Sequence, residues 1–204
     1  TSMQSITAKH LLDLSIGTSR LFLKRWLEMF EIKIIDNCIP VKQQNLLIKQ
    51  LLQNKNFPWF YRPDVTEELN IELSQQRLAF THYFILDKNP NSESLNLVLP
   101  IINSLTKKQI IQCRAFLQAP LNPKLIGSKH DTPHTDLSYS HTVYLYYVID
   151  SDGDTLFLKN SKIVKKITPK KGRLVIFDGN IQHTAEQPKK GVRCIINFDV
   201  IKDA

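Results

Sequence analysis

The sequence predicts a mainly β, α+β domain: a barrel or sandwich of short strands backed by helices from the first half of the chain. Three observations carry this. The hydrophobic period is helical up to about Lys107 and changes to two beyond it. The second half is cut at short intervals by turn chemistry, at Asn122-Pro123, Asp152-Gly153, Lys171-Gly172 and Asp178-Gly179-Asn180. Early helices followed by a late group of short strands fit sheets with helical cover on one side.

The elements follow in order. Residues 18–29 carry apolar side chains at helical spacing, with Thr18 or Ser19 as a cap. Between Val41 and Asn54, Leu46, Leu47, Ile48, Leu51 and Leu52 form one stripe, the pattern of a helix lying on a sheet. A third helix is expected over 93–105, disturbed by Pro100, whose ring cannot continue the hydrogen-bond ladder. Strands are expected at 110–118, 140–149, 155–158, 162–167, 173–177 and 192–201. The stretches 76–94 and 121–133 read as irregular, and are expected to select the substrate at the mouth of the barrel.

With 204 residues, 42% of them hydrophobic, the chain is sized for one domain with a real core, and we expect residues 1–204 to form it. No apolar run approaches the ~20 residues that a membrane span needs. The first residues lack the basic start, apolar stretch and small-residue cleavage site of a secretory signal. Cys38, Cys113 and Cys194 are odd in number and far apart, so no disulfide framework is implied. A cytoplasmic, reducing setting is the expectation. The formal charge of +8 is uneven: Lys159, Lys162, Lys165, Lys166, Lys170, Lys171 and Arg173 occur without an intervening acid. Such a run can attract nucleic acid. With no aromatic platform among the lysines, a solvated outer strand that discourages edge pairing is the favoured reading.

The chemistry concentrates in His134-Thr135-Asp136, His183 and Arg193. A His-x-Asp pair on a strand puts both side chains on one face, because alternate residues of a strand share a face. A distant second histidine can complete two imidazoles and a carboxylate around a metal. That set leaves coordination positions open, which suits non-haem Fe(II). Arg193 follows His183 by ten residues within the apolar run Cys194-Ile195-Ile196-Asn197-Phe198. A guanidinium fork buried there needs an anionic partner, and a dicarboxylate cosubstrate would supply one. A zinc site from His130 and His134 on one helix is disfavoured by Pro133 between them. Asp150, Asp152 and Asp154 lack the glycine position, closing glutamate and flanking helices of a calcium loop. His10, His82 and His141 read as structural, and His130 as a residue of the site's rim.

At these residues the chain resembles the 2-oxoglutarate/Fe(II)-dependent dioxygenases, most closely their prolyl-4-hydroxylase-like branch. The likeness runs from about Ile110 to Val200. It rests on His134-Thr135-Asp136, Val143-Tyr144-Leu145-Tyr146-Tyr147, Asp152-Gly153-Asp154-Thr155-Leu156-Phe157, Pro169 to Phe177, His183, Arg193 and Asn197-Phe198 in the family's order. Upstream, Phe30 to Ile35 as a strand, a helix, and then Phe57-Pro58-Trp59-Phe60-Tyr61 are similar to small bacterial and phage-encoded members.

The resemblance implies a double-stranded β-helix (jelly roll, cupin-like) over 108–204, supported by residues 1–107. It implies Fe(II) held by His134, Asp136 and His183, with 2-oxoglutarate and O2 as cosubstrates. Arg193 and one of Tyr144, Tyr146 and Tyr147 would fix the far carboxylate of 2-oxoglutarate. Matching Leu145-Tyr146-Tyr147 to the family's strand favours Tyr147. Asn197 would bond metal-bound water or cosubstrate, and Leu156 would wall the cosubstrate chain. Arg114 is open between a substrate contact and an outward salt bridge, and Asp199 stands where relatives often place a bulky aromatic. The implied activity is hydroxylation of a peptidyl (prolyl-type) or small-molecule substrate, with release of succinate and CO2. A base demethylase would need a second clamp arginine after Arg193, which is absent. A catalytically silent binding barrel would ordinarily have lost one of the four key residues.

Overall fold

A computed structural model describes residues 31–63, 77–121 and 130–202. The chain divides into units 1–31 and 32–204, and the second holds every element described below. The helix expected over 18–29 lies outside the described residues.

The elements run β1 (Lys33–Ile35), α1 (Val41–Ile48), continued by a widened turn over Lys49–Gln53, β2 (Phe60–Arg62), β3 (Ala79–Leu86), β4 (Asn89–Pro90) and α2 (Leu95–Val98). A tighter turn, Leu99–Ile101, follows α2 where Pro100 interrupts the expected third helix. Then come β5 (Ile110–Gln118), β6 (His141–Tyr147), β7 (Thr155–Lys159), β8 (Lys162–Ile167), β9 (Leu174–Asp178), β10 (His183–Ala185) and β11 (Arg193–Ile201).

Two antiparallel sheets result. The larger has the order β1-β9-β6-β11-β5-β3-β2, with β4 beside β3, and the smaller has the order β10-β7-β8. Single bridges from His130 to Glu186 and from His134 to His183 lay residues 130–134 along β10 as a fourth ribbon of the smaller sheet. The β7–β8 hairpin turns through Asn160 and Ser161, whose φ values of 48° and 59° match the two-residue turn that follows strand twist.

Residue alternation gives the larger sheet two different faces. On β11, Cys194, Ile196, Phe198 and Val200 enter the apolar core, while Arg193, Ile195 and Asn197 line a cavity on the other face. On β5, Cys113 and Ala115 face the core, and Gln112, Arg114, Phe116 and Gln118 face the cavity. The core lies where Leu47 and Leu51 of the first helical segment and Val98, Ile101 and Ile102 of the second pack on the sheet. Burying each of these side chains contributes roughly 1.5–3 kcal/mol. The helices thus fix the outer face, and the polar inner face is left for chemistry.

Two expectations need correction. Where it is described, the stretch 76–94 is not irregular: Phe80 to Ile85 pairs along β5 as an interior strand of the larger sheet. And His134-Thr135-Asp136 is not on a continuous strand, because pairing stops at His134 and Asp136 stands in a bend before β6.

Candidate active site

His134 and His183 are joined through their backbones. Each donates its N–H to the other's carbonyl, both at 3.0 Å. Such a hydrogen-bonded antiparallel pair puts both side chains on one face, and the two rings stand 4.9 Å apart by centroid. Each imidazole lies with Nδ1 at a carbonyl two residues back: Thr132 O at 3.0 Å from His134, Ile181 O at 3.1 Å from His183. A carbonyl can only accept, so Nδ1 carries a proton in each ring, and Nε2 is the nitrogen that the neutral imidazole offers to the cavity with a free lone pair.

Asp136 completes the group. Its Oδ2 stands 3.3 Å from His183 Nε2 and its Oδ1 4.0 Å from His134 Nε2. The three ligand atoms lie within 4.8 Å of one another. Desolvation pushes the His134 pKa down to about 4, with the neighbouring His183 acting in the same direction. Burial also works against a charge on His183, but Asp136 beside it overcomes this and raises the value. Burial opposes ionisation of Asp136 as well; Arg114 and His183 outweigh it and hold the carboxyl well below its usual range. Asp136 Oδ2 is buried without a well-angled hydrogen bond. An ionised oxygen held that way beside two imidazole lone pairs fits a divalent cation.

A second group holds this geometry. Asp131 accepts hydrogen bonds from Gln118 Nε2 at 2.8 Å, from Arg77 at 3.3 Å and from Gln187, while its carbonyl accepts from Thr184 Oγ1 at 2.6 Å. These bonds tie the ribbon at 130–134 to β10 and so fix His134. Asp131 carries no local signal in the sequence, because its partners come from distant strands.

Arg193 is 3% exposed. Its Nε donates to Gly153 O at 3.1 Å, Nη1 to Gln118 Oε1 at 3.0 Å and Nη2 to Thr155 Oγ1 at 2.9 Å. All three acceptors are neutral. Burial lowers its pKa, against an upward pull from Tyr147 and Asp131, yet an arginine stays charged in this range. A buried guanidinium with neutral partners and spare N–H groups on a cavity wall fits a ligand carboxylate.

The remaining expected residues divide. Tyr147 is fully buried and does not reach the cavity; its hydroxyl donates to Thr155 Oγ1 at 2.7 Å, the same oxygen that Arg193 uses. Tyr144 and Tyr146 pack on the core side of the sheet. Asn197 lines the cavity, with Oδ1 buried and unbonded. The expectation for Leu156 is corrected: it is fully buried outside the lining, and its neighbour Thr155 takes the wall, because strand alternation turns Leu156 to the other face. His130 also stays out of the cavity, with its ring on Asp131 O.

Sequence reasoning leaves Arg114 open and reads His141 as structural. Arg114 faces inward, and its Nη2 donates to Asp136 Oδ1. Asp199 is fully buried, bonded to Gln112 Nε2 at 2.6 Å, and lies 3.7 Å from His141 Nε2. Burial and the repulsion of Asp136 raise its pKa to about 7. The cavity holding the triad and Arg193 measures about 450 Å³, within the range of small-molecule sites.

No family model and no curated protein matches the chain. Solved structures do. A prolyl hydroxylase from Trichoplax adhaerens, in complex with a hypoxia inducible factor oxygen degradation domain peptide fragment, is 15% identical with a TM-score of 0.60; the alignment covers 96% of this chain and 94% of that one. The viral collagen prolyl hydroxylase of Paramecium Bursaria Chlorella virus-1 in its 2OG complex is 15% identical at a TM-score of 0.54, covering 83% and 94%. A 2OG-Fe(II) oxygenase family oxidoreductase from Burkholderia pseudomallei is 9% identical at a TM-score of 0.61, covering 85% and 86%. At such identities it is the architecture that is shared: the chain has the double-stranded β-helix fold of the 2-oxoglutarate/Fe(II) oxygenases, in the form seen in prolyl hydroxylases.

Proposed function

We propose that this protein is an Fe(II)- and 2-oxoglutarate-dependent dioxygenase that hydroxylates a peptidyl or small-molecule substrate. One observation carries the reading: two imidazole lone pairs and an ionised carboxylate converge on the cavity whose wall holds a buried arginine with neutral partners. His134, Asp136 and His183 would hold the metal, and Arg193 the distal carboxylate of 2-oxoglutarate. The bound pair supplies oxygen activation, in which 2-oxoglutarate is oxidised to succinate and CO2 while one oxygen atom goes to the substrate.

The protein's own residues orient and shelter. Carbonyls at Thr132 and Ile181 hold the two histidines in the ligating tautomer. Thr155 fixes the Arg193 fork, and Tyr147 fixes Thr155 from behind. Leu145, Ile195 and Phe116 give the cavity apolar walls that exclude water. A fold of this kind hosts several chemistries, so the reading rests on the site rather than on the architecture.

The test is succinate formation from 2-oxoglutarate by protein supplied with Fe(II) and O2. The expected result is turnover that a chelator abolishes and a product 16 Da heavier than its substrate. A protein that binds neither Mn(II) nor 2-oxoglutarate and forms no succinate would be a barrel used only for binding.

A further inference from the structure

The cavity has a second cationic feature besides Arg193. Arg114 lines it from β5, its side chain 14% exposed, with Nε buried and unbonded. Among the described residues its one ion pair is with Asp136. Asp136 is also the carboxylate that a metal would claim. A divalent ion and Arg114 would then share the Asp136 charge, with Asp199 the other carboxyl that acts on Arg114. Tyr83 borders the same wall, its hydroxyl accepting from Arg62 Nη1 at 3.2 Å.

The strand register separates this feature from the Arg193 end. Arg193 pairs with Gln118 and Asn197 pairs with Arg114. The two arginines thus stand four residues apart along paired strands, about 13 Å. Arg114 is therefore not part of the Arg193 grip on the distal carboxylate. Asn197, beside Arg114, leaves its carboxamide oxygen unbonded, so the wall also has an acceptor to offer.

We infer that the wall formed by Arg114 and Tyr83 binds a carboxylate carried by the substrate, with Asn197 Oδ1 beside it to accept from a substrate N–H or O–H. This deepens the proposed function and rests on it: the site takes a small acid or a chain end, with the carbon to be oxidised within a few bonds of the carboxylate. The placement follows from Arg114 touching Asp136, which sets any anion bound there beside the metal. Apolar Leu145, Ile195 and Phe116 line the same cavity and would take the rest of the molecule.

The experiment uses protein loaded with Mn(II) and saturating 2-oxoglutarate, without oxygen. The probes are N-acetyl-proline and N-acetyl-leucine, each against its primary amide. Broadening of probe proton resonances reports binding close to Mn(II). We expect each acid to bind at least tenfold more tightly than its amide. Arg114→Gln should erase that preference, and Arg114→Lys should keep part of it, because an ammonium retains charge without the fork. Equal behaviour of acid and amide in the wild type, including no measurable binding of either, overturns the inference while Mn(II) and 2-oxoglutarate binding leave the proposed function standing. An undiminished acid preference in Arg114→Gln overturns the role of Arg114. If that variant loses Mn(II), the wild-type ratio still decides. Wild type that binds no Mn(II) or no 2-oxoglutarate sinks both readings together.

Discussion

His134 and His183, far apart in sequence, exchange both of their backbone hydrogen bonds at 3.0 Å. The pair is therefore set by main chain, and the imidazoles are free to act as ligands without holding the ribbon in place. It follows that His134→Ala, Asp136→Ala and His183→Ala should each abolish Mn(II) binding and leave the β-rich circular dichroism spectrum unchanged. A three-ligand site does not retain a labile divalent ion with a ligand gone. Calorimetric titration checks this, and full occupancy in Asp136→Ala would remove the carboxylate from the assignment.

Arg193→Ala should weaken 2-oxoglutarate binding to the Mn(II) form by tens- to thousands-fold, from loss of a charge-assisted fork worth roughly 2–5 kcal/mol in a sheltered pocket. Mn(II) affinity should change far less. The same variant should melt earlier, since it takes the Arg193 donor from Gln118 Oε1 and the Gly153 carbonyl. Arg193→Lys should restore only part of the cosubstrate binding. Titration at fixed salt compares the three proteins.

Asp199 predicts a pH signature of the metal-free protein. Its folded pKa of about 7 lies above the usual aspartate value of 3.8, through burial first and Asp136 second. Between those values the native state holds a proton that the unfolded chain has released, so this residue's contribution to stability falls as pH rises through the window and is least favourable above it. Asp199→Asn should therefore raise the melting temperature more at pH 8 than at pH 5. An equal shift at both pH values would mean that Asp199 titrates normally.

Gly179→Ala should destabilise the fold by about 1–3 kcal/mol, as overpacking of a closed site does. A methyl group there would overlap the His141 imidazole. That ring cannot swing away, being fully buried with Nδ1 on Tyr139 O at 2.7 Å. Thermal melts of the two proteins measure the difference.

Much of this was legible from local pattern. The bounds of β5 and β8 match the expected strands, each closed two residues on by a proline, Pro120 and Pro169. The first helical segment follows its leucine stripe, and Pro100 falls where the second breaks. β3 was not legible: its aromatic-rich run Phe80 to Phe84 includes His82, which sits inside by bonding Pro58 O and Ser92 Oγ at 2.8 Å each. Parity decided Leu156, where a shift of one residue exchanged it with Thr155. The groups around Asp131 and Asp199 depend on cross-strand register, such as Gln112 opposite Asp199, which no local pattern encodes. Arg114 could not be resolved for the same reason, since its partner Asp136 arrives from a bend beyond the end of a ribbon.

The central claim is that the triad and Arg193 form one site for a metal and 2-oxoglutarate together. Its most direct measurement is 2-oxoglutarate binding with and without Mn(II), in wild type and in His183→Ala. The account predicts tight binding only to the Mn(II) form of the wild type, because the metal and Arg193 each hold one end of the same small diacid. Binding of equal strength without metal, or in His183→Ala, would contradict it.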